Sequence, residues 1–155
     1  MVPPGEATDR ERGRTVSRPV VGYAPGAYDM FHIGHLRVLE RARSECDLLI
    51  AGVATDEVVL SAKAKHPVIP FEQRLEIVSS IRYVDQAIAD PHVDKYLTWQ
   101  RIGFHVLFKG DDWRGTERAH EMESKLESVG VGIVYFPYTG DVSTTLLRTR
   151  LSVSE

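Results

Sequence analysis

Five times along the chain a short apolar run rich in β-branched residues gives way to a segment with helical spacing. "PVVGYA" reads as a strand. "IGHLRVLERARSE" follows as a helix with Ile33, Leu36, Leu39 and Ala42 on one face. "CDLLIAGVA" is a buried strand, and Thr55 or Asp56 caps the short helix "DEVVLSA". A basic loop, "KAKHPVIP", leads to the helix "FEQRLEIVSSIR", the strand "VDQAIA" and the helix "VDKYLTWQRIG". "FHVLFKG" is a strand, "GTERAHEMESKLESVG" a helix stopped by Gly130, and "VGIVYFP" the last strand. "STTLLRTRL" closes the series as a helix capped by Ser143. This alternation predicts an α/β fold, a doubly wound parallel five-stranded sheet with helices on both faces. Right-handed crossovers then bring every strand-to-helix loop to the carboxyl edge, where ligands bind.

A chain of 155 residues, 43% hydrophobic and 26% charged, is sized for one domain with a proper core. Residues 1–18 hold Pro, Gly and mixed charge with few large apolar side chains, so a disordered tail is expected ahead of a domain over 19–155. The net charge of −3 gives no broad attraction to nucleic acid or to anionic membrane. No apolar run has the length of a membrane span, and the N-terminus has no apolar core of a secretory signal. The one cysteine, Cys46, excludes an intrachain disulfide and a Cys-rich zinc site, and reads as a small buried hydrophobe. These features predict a cytoplasmic protein.

The predicted carboxyl edge gathers Gly26 to His35, Thr55 and Asp56 with Lys63 and Lys65, Lys109 to Trp113, and Thr139 to Thr145. His32 and His35 stand three apart at a helix start, so both imidazoles can face one side. Metal binding, acid–base work and phosphate binding all use such pairs. A metal would want further ligands, and only Asp29 is near. Phosphate suits the place, because Gly34 lets backbone approach a ligand and first-turn N–H groups face outward. Lys63 and Lys65, two apart in an extended loop, point to opposite sides and can each serve a different phosphate. Arg74 and Arg82 are either bidentate phosphate clamps or structural ion pairs. Ser143, Thr144 and Thr145, with Thr139 before them, suggest a second anion-binding helix start. Two such starts on one edge fit a triphosphate. No G-x-G-x-x-G follows the first strand, which disfavours a redox dinucleotide site.

"GAYDMFHIGH", "PVIPFEQR", "IRYVD", "KGDDW" and "STT", in this order over about residues 20–150, resemble the cytidylyltransferase-type nucleotidyltransferases that carry an H-x-G-H signature. The motifs are nearest those of the members that use glycerol 3-phosphate. The resemblance implies a Rossmann-like fold, a homodimer, and transfer of CMP from CTP to a small alcohol phosphate with release of pyrophosphate. It implies that Mg²⁺ travels with the triphosphate, without protein ligands of its own. It implies that His32, His35 and Lys65 are catalytic. Ala27, Tyr28, Gly34, Asp112, Trp113, Thr139, Ser143, Thr144 and Thr145 would join them around the nucleotide. Lys63, Arg82 and Lys95 would meet the acceptor, Lys95 standing about one position away from the family's lysine.

Three departures bear on base and acceptor. Ala27-Tyr28 replaces the family's Thr-Phe, removing a hydroxyl aimed at the nucleotide. Tyr138 replaces an arginine, and one charge-assisted contact is worth about 1.5–3 kcal/mol. Lys109 before "GDDW" resembles the K-G-G-D-Y of heptose-phosphate adenylyltransferases. Two alternatives therefore stand beside cytidylyl transfer: adenylyl transfer from ATP to a sugar or polyol phosphate, and nucleotide binding without turnover.

Overall fold

The computed structural model describes residues 18–111, 114–137 and 144–153. In chain order these form β1 (Val21–Gly26), α1 (Ile33–Ser44), β2 (Leu48–Ala54), α2 (Asp56–Lys63), α3 (Phe71–Ser79) and β3 (Gln86–Asp90). Then come α4 (Lys95–Ile102), β4 (Val106–Gly110), α5 (Glu117–Glu127), β5 (Gly132–Phe136) and α6 (Thr144–Val153). The five strands lie in the order β3-β2-β1-β4-β5, and every neighbouring pair is parallel. The Rossmann-like α/β sheet expected from the alternation is the fold. Of the tail expected over residues 1–18, residues 1–17 lie outside the described residues.

Both faces of the sheet are covered, which is why the strands read as near-continuous apolar runs. On one face Ala24, Leu49, Ala51, Val53 and Phe108 pack with Leu39 of α1 and Val78 of α3. On the other, Tyr23, Ile50 and Leu107 pack with Met122 and Leu126 of α5 and with Phe104 and Trp99 at α4. Adjacent residues such as Tyr23 and Ala24 go to opposite cores because successive strand side chains alternate. Each fully buried Leu or Phe contributes about 1.5–3 kcal/mol.

Helix ends follow local chemistry. Of the two candidates for the α2 cap, Thr55 makes the bond, its hydroxyl accepting from the Val58 N–H at 3.3 Å. Asp94 caps α4 and Thr116 caps α5 in the same way. Gly103, in the left-handed conformation, ends α4. The α5 helix stops at Glu127, a little earlier than the sequence predicts, and Gly130 turns the chain at φ 79°.

Gly52 of β2 is required by a close approach. A Cβ there would lie 1.8 Å from the Tyr23 hydroxyl. Its absence lets the β1 phenol cross β2 and donate to the buried Asp90 carboxylate at the end of β3. The connections from β1 and β4 leave in opposite directions across the sheet, and this places a crevice at their carboxyl ends. No described helix is long and apolar enough to cross a membrane.

Candidate active site

The β1–α1 turn, residues 27–32, rises at that crevice. It is an unusual backbone, for Tyr28 (φ 54°) and Met30 (φ 47°) both occupy the left-handed region without being glycine. Tyr28 is nearly buried, and its hydroxyl donates back to the Ala24 carbonyl at 2.8 Å. Its ring lies against Gly26, where a Cβ would come within 3.1 Å, and packs on Phe31 and His35. The Tyr28 side chain thus faces the core, and the turn is built around it.

His32 is the N-cap of α1, with extended φ and ψ. Its Nδ1 accepts the Gly34 N–H at 3.0 Å, while the His32 N–H donates to His35 Nδ1 at 3.2 Å. Two imidazoles therefore make the reciprocal cap that Ser and Glu make elsewhere. The consequence is chemical. An Nδ1 that accepts a backbone proton carries none, so each neutral ring holds its proton on Nε2. Burial pushes the His35 pKa down to about 3, aided by the charges of His32 and Lys63 and opposed by Asp29. Burial lowers His32 as well. The ring centroids are 4.0 Å apart, and no described residue accepts from either Nε2–H. The Gly34 N–H, expected from the sequence to face a ligand, is taken by the cap. The side-chain donors that the cap leaves over are the two Nε2–H groups.

Lys63 ends α2, and Ala64 (φ 54°) turns the chain into a segment without helix or strand that runs to Pro70. Lys63 and Lys65 are exposed, and neither forms an ion pair among the described residues. Lys63 is close enough for its charge to act on His35. The structure thus brings Lys63 to the same rim as the histidine pair.

The two arginines part company. Arg74 is 1% exposed and binds four groups. It donates to the Ile69 carbonyl (2.9 Å), the Ala27 carbonyl (2.6 Å), the Ala54 carbonyl (2.7 Å) and the Asp56 carboxylate (2.7 Å). It is structural, knotting together three carboxyl-edge segments. Arg82 precedes β3, at the amino edge of a parallel sheet, on the rim opposite the histidines. It donates to the Tyr83 hydroxyl at 2.9 Å, which in turn donates to Glu40 at 2.7 Å. Lys95 is on the carboxyl side of β3 but nearly buried. Its ammonium donates to Asp90 at 2.7 Å and to the His92 carbonyl at 2.6 Å, and Thr98 donates to the same carboxylate. Burial works to raise the Asp90 pKa, yet Lys95, Tyr23 and the His92 N–H hold it below the usual carboxylate range.

Arg74 thus takes the structural alternative of the two that the sequence offers, while the tying role of Asp29 and the reach of Arg148 have no counterpart in the sequence reading. Asp29 is 4% exposed, and its carboxylate accepts from Val68 N–H, Ile69 N–H and Arg148. Burial would raise its pKa, but these three donors outweigh it and lower it. Arg148 of α6 reaches Asp29 across 119 residues of sequence and ties that helix to the histidine turn. Asp112, Trp113, Tyr138, Thr139 and Ser143 lie outside the described residues, as do the side chains of Thr144 and Thr145. Lys109 sits in β4, registered with Tyr135 of β5.

The fold is a parallel α/β sheet with paired imidazole donors at the carboxyl end of β1, and comparison with known proteins says which kind of protein carries it. Residues 23–150 match the model of the family described as cytidylyltransferase-like, and the chain belongs to that family. It is 33% identical over 130 residues to glycerol-3-phosphate cytidylyltransferase of Bacillus subtilis (strain 168), covering 82% of this chain and 93% of the relative. It is 35% identical over 124 residues to FAD synthase of Pyrococcus abyssi, covering 78% and 80%. Among solved structures, the lipopolysaccharide core biosynthesis protein of Thermoplasma volcanium superposes with a TM-score of 0.66 at 24% identity, over 79% of this chain and 98% of that one, which supports the fold. The chain is a nucleotidyltransferase of this family.

Proposed function

We propose that this rim transfers CMP from CTP to a small alcohol phosphate, with glycerol 3-phosphate the best candidate. A phosphate oxygen of the acceptor attacks the α-phosphorus in line. The bond from that phosphorus to the bridging oxygen of pyrophosphate breaks, and a new P–O–P link forms. The attacking oxygen is already anionic, so no side-chain nucleophile or base is needed. Catalysis is then orientation plus neutralisation of charge in the transition state.

The observation that carries this reading is the reciprocal cap, which leaves two neutral Nε2–H donors side by side with Lys63 nearby. His32 and His35 hold triphosphate oxygens, Lys65 neutralises the nucleotide phosphates, and Lys63 takes the acceptor phosphate. Asp112, Trp113, Thr139, Ser143, Thr144 and Thr145 complete the nucleotide site in this proposal. The donor set suits anions. Both Nδ1 acceptors are taken, and the described residues contain no group of three His, Cys, Asp or Glu side chains able to hold a metal ion. In this proposal Mg²⁺ enters on the oxygens of the triphosphate, as part of the substrate. Arg82 comes to an acceptor only if a second subunit brings its own rim across, which agrees with the homodimer the family resemblance implies; sedimentation velocity checks that state.

A second reading, adenylyl transfer from ATP, is favoured by the match to relatives named FAD synthase and by the absence of the family's Thr at Ala27. Pyrophosphate release from CTP or ATP with Mg²⁺, over a panel of phosphorylated alcohols, sugars and flavin mononucleotide, separates the two. CTP with glycerol 3-phosphate is expected to give the highest kcat/KM. A preference for ATP would replace the first reading with the second. Triphosphate binding by calorimetry without release over the whole panel would mean a binding protein.

A further inference from the structure

Of the two lysines that this reaction needs, Lys63 ends α2 and Lys65 hangs on residues 64–70, a segment with neither helix nor strand. We propose that Asp29 is a positioning residue for the phosphate site: its carboxylate sets the lysine segment against the histidine turn. The inference rests on the reading of this rim given under Proposed function.

Asp29 stands three residues before His32, in the same turn. Oδ1 accepts the Ile69 N–H and Oδ2 accepts the Val68 N–H, each at 2.8 Å. Arg148 donates at 3.0 Å both to Oδ2 and to the His66 carbonyl, adding a third hold on the segment. Arg74 takes the Ile69 carbonyl and the Ala27 carbonyl, so the two strands of the knot run between the same pair of loops. Each of the two adjacent N–H groups takes a different oxygen, an arrangement that an ionised carboxylate supplies and an amide does not. The flanking residues Tyr28 and Met30 are both left-handed, a conformation costing about 1–3 kcal/mol apiece and kept only where surrounding contacts over-determine it. Asp29, buried between them, supplies that over-determination together with the packed Tyr28 ring. One carboxylate thus fixes the turn that carries the imidazoles and the segment that carries Lys65, just beyond Lys63.

Asp29→Asn keeps the volume and one acceptor but turns an NH₂ toward a backbone N–H. It is expected to lower kcat/KM by about 100-fold, the scale of a misplacement of about 1 Å. In a Lys63→Ala Lys65→Ala background the same substitution is expected to lower it by less than about threefold, because what it sets, the place of the lysines against the imidazoles, no longer bears on the rate. Losses that simply multiply would overturn the proposal, since a general structural role acts in either background. A second measurement needs no turnover. Hydrogen exchange at the Val68 and Ile69 amides is expected to accelerate at least about tenfold in Asp29→Asn while the denaturant midpoint stays near wild type. Unchanged exchange at those amides would also overturn it. Should Asp29→Asn not fold, Arg148→Gln carries the same exchange test at the same amides and the same cycle with the lysine pair. A wild-type chain with no turnover would sink the reading of function and leave the exchange test standing.

Discussion

His32 and His35 cap each other's backbone, and that fixes their protons as well as their places. A depressed imidazole pKa means that the unfolded chain takes up protons more readily than the folded one. The stability from a neutral His35 is therefore fully present above about pH 6.5 and is lost progressively as pH falls toward about 3. The thermal midpoint of the wild type is expected to fall between pH 7 and pH 5. His35→Asn, whose side-chain oxygen can replace Nδ1 as acceptor, is expected to show a shallower fall; equal slopes would show that His35 does not titrate in this way. Activity carries the second check. His35→Ala removes one preorganised donor and is expected to lower kcat by about 10²–10³-fold, with circular dichroism unchanged. Near-normal turnover in that variant would remove the imidazole pair from the mechanism.

At the level of elements, β2 works because one of its residues has no side chain. Gly52 leaves room for Tyr23, whose hydroxyl joins Lys95 and Thr98 on the Asp90 carboxylate and so pins β1 to β3 across the strand between them. Every partner in this buried cluster is satisfied, which is how a charged pair is tolerated in a core. Gly52→Ala would press a methyl into a buried ring with nowhere to go. Urea denaturation is expected to show a loss of at least about 1–3 kcal/mol, the range for overpacked cores. A loss below about 0.5 kcal/mol would mean that the phenol and strand shift freely.

Across the whole molecule, Arg74 is the hub. It holds the ends of β1 and β2, the start of α2 and the lysine segment through four bonds from one guanidinium. Arg74→Lys keeps the charge but not the planar fork, so two or more buried carbonyls lose their donor. Each orphaned group costs about 1–3 kcal/mol, and urea denaturation is expected to show a loss of about 2 kcal/mol or more. A midpoint within error of wild type would show that the rim is held by other contacts. Arg74 and Arg82 illustrate where sequence reading stops. Both look like basic residues on one helical pattern, eight apart. Only the packing sends one guanidinium into the knot and leaves the other at the opposite rim beside Tyr83. Lys95 is similar: its place on the carboxyl side of β3 is legible, but its capture by Asp90 depends on how the turn after β3 folds back on the strand end.

The sequence by itself determined the layering and the address of the chemistry. Apolar runs of strand length alternate with helical spacing, and handed crossovers leave one edge for the loops, so His32, His35, Lys63 and Lys65 had to share a rim. The tertiary structure alone decided which charges remain available there. Asp29 and Arg148 lie 119 residues apart, and periodicity carries no information about such a pair. A side chain's charge is free or neutralised according to the donors and acceptors within about 3 Å of it, and that distance is set by packing between elements rather than by order along the chain.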